Sequence, residues 1–227
     1  MEFADKLALL PVVVPALVLS LVLHEMAHGW AGHLLGDTTP KEQGRLNLNP
    51  IRHIDPVGAA FFIFTFLLTS FPFGWAKPVQ IDTKQLRGNP QRNMAVVAAA
   101  GPLTNFLIAF AFLGLIVHAG LGGIYHVIQG HGVLTTNSFW DDVIIQILVI
   151  NIVLGVFNLI PVPPLDGSRI VGAVMSKAMY EEWSKLDKYA PIFLMVLIFF
   201  LQDALGSLLQ TGFTFVLEHM FLLWGVH

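Results

Sequence analysis

The chain has 227 residues, of which 55% are hydrophobic and only 12% charged, with a mean hydropathy of +0.70. A soluble domain carries about 25% charged residues, so this composition excludes an ordinary water-soluble globule and fits several bilayer spans. A net charge of −3 gives no basis for a nucleic-acid partner, and the absence of cysteine excludes both a disulfide framework and a thiolate metal site.

The first apolar stretch runs from Leu7 to about Leu35. Glu2 and Asp5 precede it alongside Lys6 and no small-residue cleavage pattern follows, so it reads as a retained helix and not a signal peptide. The next, Val57 to Phe71, is closed by Phe71-Pro72-Phe73-Gly74 and is short for a span, which suits a re-entrant or interfacial segment. Met94 to Val117 is long enough to cross, and Val143 to Ile160 nearly so. Tyr189 to Leu201 is short, and Leu205 to Trp224 is of full length.

Lys and Arg in short loops mark the cytoplasmic side of a membrane protein. Lys41, Arg45 and Arg52 precede the short apolar stretch, and Lys77, Lys84, Arg87 and Arg92 follow it. Arg169, Lys177, Lys185 and Lys188 lie between the third and fourth full or nearly full stretches, whereas the connection His118 to Asp142 holds no Lys or Arg. If Val57 to Phe71 does not cross, these loops share one side; if it does cross, Lys41, Arg45 and Arg52 change sides. The non-crossing reading gives an external N-terminus, a first helix running inward, a second outward and a third inward. The expected fold is an all-α, polytopic membrane bundle with a three-helix catalytic core, a short re-entrant or interfacial segment and a C-terminal helical hairpin. One membrane-embedded domain is expected over 1–227, with its core at about 7–172 and its C-terminal helices at about 189–226.

His24-Glu25-Met26-Ala27-His28 fits H-E-x-x-H. On a helix the two histidines lie one turn apart on one face, where they can share a zinc ion while Glu25 acts on a water. The motif follows an apolar run on the same helix, at roughly 25 Å from Leu7 and so near the inner edge of a ~30 Å hydrocarbon core. Ionisable groups at that depth are costly and point to function. A third ligand is needed. His33 falls on the opposite helix face, and Ala31 and Leu34 break the longer three-histidine pattern. Asp166 is the better candidate. It follows Asn158-Leu159-Ile160-Pro161-Val162-Pro163-Pro164-Leu165, where the prolines end an inward-running helix, so it emerges at the depth of the two histidines.

These motifs, with Ala100-Gly101-Pro102-Leu103-Thr104-Asn105 between them, resemble the site-2 protease family of intramembrane metalloproteases in its compact form, without a PDZ or CBS module. The resemblance implies zinc held by His24, His28 and Asp166, with Glu25 activating water. It also implies transmembrane protein substrates cut within or near the lipid bilayer, as in regulated intramembrane proteolysis, by a multi-pass enzyme of the cell membrane.

Chemistry gives the same division of labour. Zinc polarises a scissile carbonyl and lowers the pKa of water, and Glu25 takes a proton and hands it to the leaving amine. Loop charge puts the site towards the cytoplasm. Asn158 is a candidate substrate-binding or oxyanion residue, or else an interhelical hydrogen bonder. Asn105 is a second such candidate, although Gly101-Pro102 beside it would equally serve close helix packing. Gly44 to Pro50 with His53 and Asp55 either lines a water path or forms a plain juxtamembrane loop, and Pro78 to Ile81 is a strand-like segment that an extended substrate could pair with. The tryptophans Trp75, Trp140, Trp183 and Trp224 are expected at lipid contacts and interface belts; His118, His126 and His131 lack a partner pattern. A zinc-binding transporter would need ionisable groups on successive helices, a pseudoprotease would lack Glu25, and a helix-binding scaffold would leave the paired motifs unexplained.

Overall fold

In a computed structural model, the protein is described over residues 3–68, 72–119 and 138–225. The long apolar runs fold as α1 (Phe3–Leu34), α3 (Pro90–Ala119) and α4 (Phe139–Asn158), each long and apolar enough to cross a membrane. Between the first two lies the shorter α2 (Pro56–Leu68). After α4 come α5 (Asp166–Gly172), α6 (Lys177–Ser184), α7 (Ala190–Met195) and α8 (Gln202–Leu223). The protein is a multi-pass helical membrane bundle. His126 and His131 lie outside the described residues.

The short apolar stretch turns back. Asp55 caps α2 by accepting the Val57 and Gly58 N–H groups at 2.8 and 2.9 Å. Thr65 Oγ1 accepts the Phe73 N–H at 2.9 Å, and the chain then retraces the helix until Ala76 pairs antiparallel with Ile54. Gly58 makes this close return possible, since a Cβ there would sit 2.2 Å from Trp75 O. Ile54 and Ala76, which flank this segment, therefore lie side by side at one end of α2, as a re-entrant segment requires. Its far end reaches deep, with Phe66 packed against Leu9 and Val13.

α3 lies between α1 and α4 and packs on both. At one end of the bundle Leu113, Ile116, Ile145 and Leu148 form a core that Leu217 and Met220 of α8 complete. At the other end Ile160 and Leu165 pack on Leu205 and Leu209 of α8. At 1.5 Å per residue α8 is about 33 Å long, enough for a fourth span. The expected C-terminal hairpin takes the form of an elbow. Ile192–Phe200, which contains a π-helical turn at Val196–Phe200, meets Gln202–Leu223 at 85°. Leu194 and Leu197 of that short arm pack against the core at the Leu165 end, so it lies across the bundle and does not run alongside α8.

Two tryptophans depart from the expected belts. Trp224 stacks on Phe110 with ring centroids 4.9 Å apart and donates its indole N–H to Phe110 O, so packing inside the bundle fixes it. Trp183 donates to Ser168 O and braces α5. Trp140, at 71% exposure, keeps the position of a lipid or interface residue.

Side-specific reporters at Arg45 and Lys84 should report the same side of the membrane. Opposite sides would mean that α2 crosses.

Candidate active site

The site is assembled where α1, α3 and the start of α5 meet. His24 and His28 stand one turn apart on α1, both buried. Their Nε2 atoms are 3.0 Å apart, and Asp166 Oδ2 lies 3.3 Å from the first and 3.4 Å from the second. Each histidine is held through its other nitrogen: His28 Nδ1 lies 2.8 Å from Val97 O, and His24 Nδ1 lies 2.6 Å from Asn105 Oδ1. Val97 O can only accept, so Nδ1 of His28 carries the hydrogen and Nε2 presents a lone pair. Val97 precedes Ala98, whose carbonyl loses its helical N–H partner at Pro102.

Gly101 sets the distance between the two helices. A Cβ at this position would lie 2.5 Å from His24 Cε1 and from His28 Cε1 and Nε2. The close approach that a Gly-Pro pair permits is therefore used to bring α3 onto the two imidazoles.

Asp166 reaches the site because Gly167 lets α5 fold back on the end of α4; a Cβ there would lie 2.2 Å from Leu159 O. α5 is tied down by the Arg169–Asp187 ion pair at 2.6 Å and by Gln91 Nε2, which donates to Gly172 O at 2.5 Å and Met175 O at 2.9 Å.

The three converging atoms suit a metal. His24, His28 and Asp166 each offer one ligand atom, and these atoms cluster tightly enough to hold one ion. Two ligands about 2.0–2.1 Å from a tetrahedral zinc stand roughly 3.3 Å apart, close to the three separations here. Asp166 Oδ2 is also buried with no hydrogen-bond donor among the described residues, an orphan that a cation would satisfy.

Glu25, next to His24, faces an extended strap formed by residues 76–82. Its Oε2 accepts the Val79 N–H at 2.8 Å. The strap lies on α1 at Gly32, where Ile81 occupies the space a Cβ would fill, and its Val79 reaches Gly29 beside Leu46. It is anchored by Lys77 N–H to His53 O at 2.8 Å, by Arg45 to Lys77 O, and by Asp82 N–H to the fully buried Asp37 at 2.9 Å.

Arg45 and His53, expected as parts of a water path or a plain loop, are buried under this strap at 4% and 1% exposure. They pack as a cover beside Glu25 and not as an open channel. Burial lowers the Arg45 guanidinium below its ordinary value, opposed by the Glu25 carboxylate. Burial also lowers His53, against its hydrogen bond to Asn47 O, with the Arg45 charge adding to the lowering and Glu25 opposing it.

Of the other candidates, His33 stays away from the triangle, with Nδ1 3.3 Å from Asp37 O. Asn158 donates to Leu154 O of its own helix at 3.0 Å. Asn105 is at 0% exposure with its oxygen on His24 and its nitrogen on Asn151. It faces a ligand histidine, not an open cleft, because the Gly101 contact draws this turn of α3 inside. Sequence reasoning missed Val97, Asn151 and Ser20. Asn151 carried a usable signal, an amide in the middle of an apolar helix.

Comparison with known proteins decides the lineage. The chain is 35% identical over 194 residues to YwhC of Bacillus subtilis (strain 168), provisionally named a zinc metalloprotease, and the match covers 84% of this chain and 81% of that protein. The model of peptidase family M50 matches residues 113–201. The chain belongs to peptidase family M50. A second M50-like relative, Rip2 of Mycolicibacterium smegmatis (strain ATCC 700084 / mc(2)155), also provisionally named a zinc metalloprotease, is 27% identical over 165 residues, which cover 68% of this chain and 54% of that one. No solved structure matches. The M50 model's match takes in Asn158 and Asp166, so the His24–His28 half of this M50 site stands on motif and geometry.

Gly101→Ala should cost the protein its metal while leaving its helix content intact, because the methyl group meets both imidazoles. Metal analysis after purification, paired with circular dichroism, would check this; full metal retention would contradict the close approach.

Proposed function

We propose that this M50 peptidase is a zinc endopeptidase that hydrolyses transmembrane protein substrates within or near the bilayer, with His24, His28 and Asp166 as metal ligands and Glu25 as general base and acid. The observation that carries this reading is the His24–His28–Asp166 triangle with Glu25 beside it, one helical turn along α1 from an apolar cleft. The cleft holds about 310 Å³ and is bounded by Val14, Val18 and Leu21 of α1, by the re-entrant segment, and by Val153 and Phe157 of α4. Leu21 is one helical turn before Glu25, and Ala76 on the opposite wall begins the strap that carries Val79. Asp55 is the single ionisable side chain on the lining, and its carboxylate is used in capping α2. Such a lining rejects a charged soluble peptide, whose polar groups would lose their hydration unpaired, and accepts an apolar segment from the membrane.

Zinc, when bound, supplies Lewis acidity to the scissile carbonyl and makes water a stronger acid. The chain's residues do the rest. His24 and His28 present Nε2 lone pairs because their Nδ1 atoms are engaged elsewhere, and Asp166 adds the negative charge. Glu25 has one oxygen pinned by Val79, and Oε1 carries no hydrogen bond among the described residues, so it is available to take a proton from water and deliver it to the departing amide nitrogen. The strap and the buried Arg45–His53 cover lie beside Glu25. The basic residues around α2 and α5 support a cytoplasmic placement of the site.

With the purified protein in liposomes and a single-span substrate, Glu25→Gln should lower cleavage by about 10²–10⁴-fold while zinc remains bound; unchanged cleavage would reject the mechanism. Asp166→Ala should lose zinc, and full retention would remove Asp166 from the ligand set. Ala59→Trp, which fills the cleft, should reduce cleavage of that substrate with zinc content unchanged, and undiminished cleavage would reject the cleft as its binding place.

A further inference from the structure

We propose that Ser20 and Asn151 are positioning residues for metal binding: with Asn105 they form a one-way hydrogen-bond chain across three helices that keeps the hydrogen of His24 on Nδ1 and turns its Nε2 lone pair towards the ion. The inference rests on the reading of His24 as a ligand.

The direction of the chain follows from its backbone ends. Asn151 Nδ2 lies 2.8 Å from Ile147 O, and a carbonyl can only accept, so this end of the amide is the NH2 group. The same nitrogen lies 2.7 Å from Ser20 Oγ, whose own hydrogen goes to Ala16 O at 2.7 Å. The serine hydroxyl is therefore the acceptor for Asn151. The oxygen end of Asn151 then faces Asn105 Nδ2 at 2.7 Å, which makes that atom the donor. The remaining end of Asn105 is its oxygen, 2.6 Å from His24 Nδ1. An amide oxygen only accepts, so His24 must carry its hydrogen on Nδ1. The opposite tautomer would point an N–H at His28 Nε2 and Asp166 Oδ2 and close the site to a cation.

Ser20, Asn105 and Asn151 are each at 0% exposure and belong to α1, α3 and α4 respectively. In such a dry setting no water can replace a lost partner, and an amide that loses one is free to rotate. Removing Asn151 lets Asn105 turn its NH2 group towards His24, which favours the tautomer that excludes metal. Residues that orient a ligand histidine in this way typically change metal affinity 10–100-fold.

The test is zinc affinity by chelator competition on the purified full-length protein, with the absorption spectrum of Co2+ as a probe of ligand geometry. Asn151→Leu and Asn105→Leu should each weaken zinc binding about 10–100-fold, with no further loss in the double variant, because both break one chain. Ser20→Ala should weaken binding in the same direction and alter the Co2+ spectrum; it removes a single atom and keeps the test available if a leucine variant does not fold. Parental zinc affinity in Asn151→Leu or Ser20→Ala, or losses that multiply in the double variant, would overturn the proposal even where unfolding temperatures fall. Parental affinity in both His28→Ala and Asp166→Ala would instead overturn the ligand reading beneath it.

Discussion

The structure depends on the close approach of α3 to α1 at Gly101. Only a residue without a side chain can sit against two imidazoles at this distance, and the same turn supplies Val97 O to one histidine and Asn105 to the other. Both Nδ1 atoms are thereby occupied, and both Nε2 lone pairs meet the Asp166 carboxylate in a largely buried space. Convergent lone pairs in a low dielectric are unfavourable without a cation between them. The fold thus creates a demand for positive charge at this point. The long-range contacts of α5 serve the same end, since Asp166 completes the triangle only while Gln91, Trp183 and the Arg169–Asp187 pair hold its helix in place.

A membrane normally excludes extended backbone, because unpaired N–H and C=O groups are costly in hydrocarbon. Here the re-entrant return and the strap over Glu25 meet that cost with specific partners: Thr65 for Phe73, His53 and Arg45 for Lys77, Glu25 for Val79 and Asp37 for Asp82. One wall of the apolar cleft is consequently built from irregular chain and the other from α1 and α4. Leu21 of that lining is one helical turn before Glu25, and Ala76 begins the strap whose Val79 binds it.

Much of this could be read from the sequence, for physical reasons. Apolar length marked α1, α3 and α4, and loop charge favoured the return of α2 before any contact was known. The i, i+4 spacing of His24 and His28 and the proline break before Asp166 carried the triangle, because helix geometry turns spacing into position. Other features depend on distant contacts that leave little local trace. Asn105 could be read equally as a substrate residue or as part of a close helix contact, because Gly101-Pro102 permits close packing without saying what is packed. The elbow at Leu201 follows from Leu194 and Leu197 docking near Leu165, while apolar length alone suggested a hairpin. The segment with Arg45 and His53 could be read as a water path or as a plain loop, because the strap that buries both residues comes later in the chain.

The central claim is that His24, His28 and Asp166 hold one zinc ion. X-ray absorption at the zinc edge of the purified, zinc-loaded protein measures this most directly. The expected result is one zinc per chain with imidazole nitrogens and oxygens at about 2.0–2.1 Å, and loss of that shell in Asp166→Ala. A zinc environment unchanged by Asp166→Ala, or a protein that retains no zinc with all three residues intact, would contradict it.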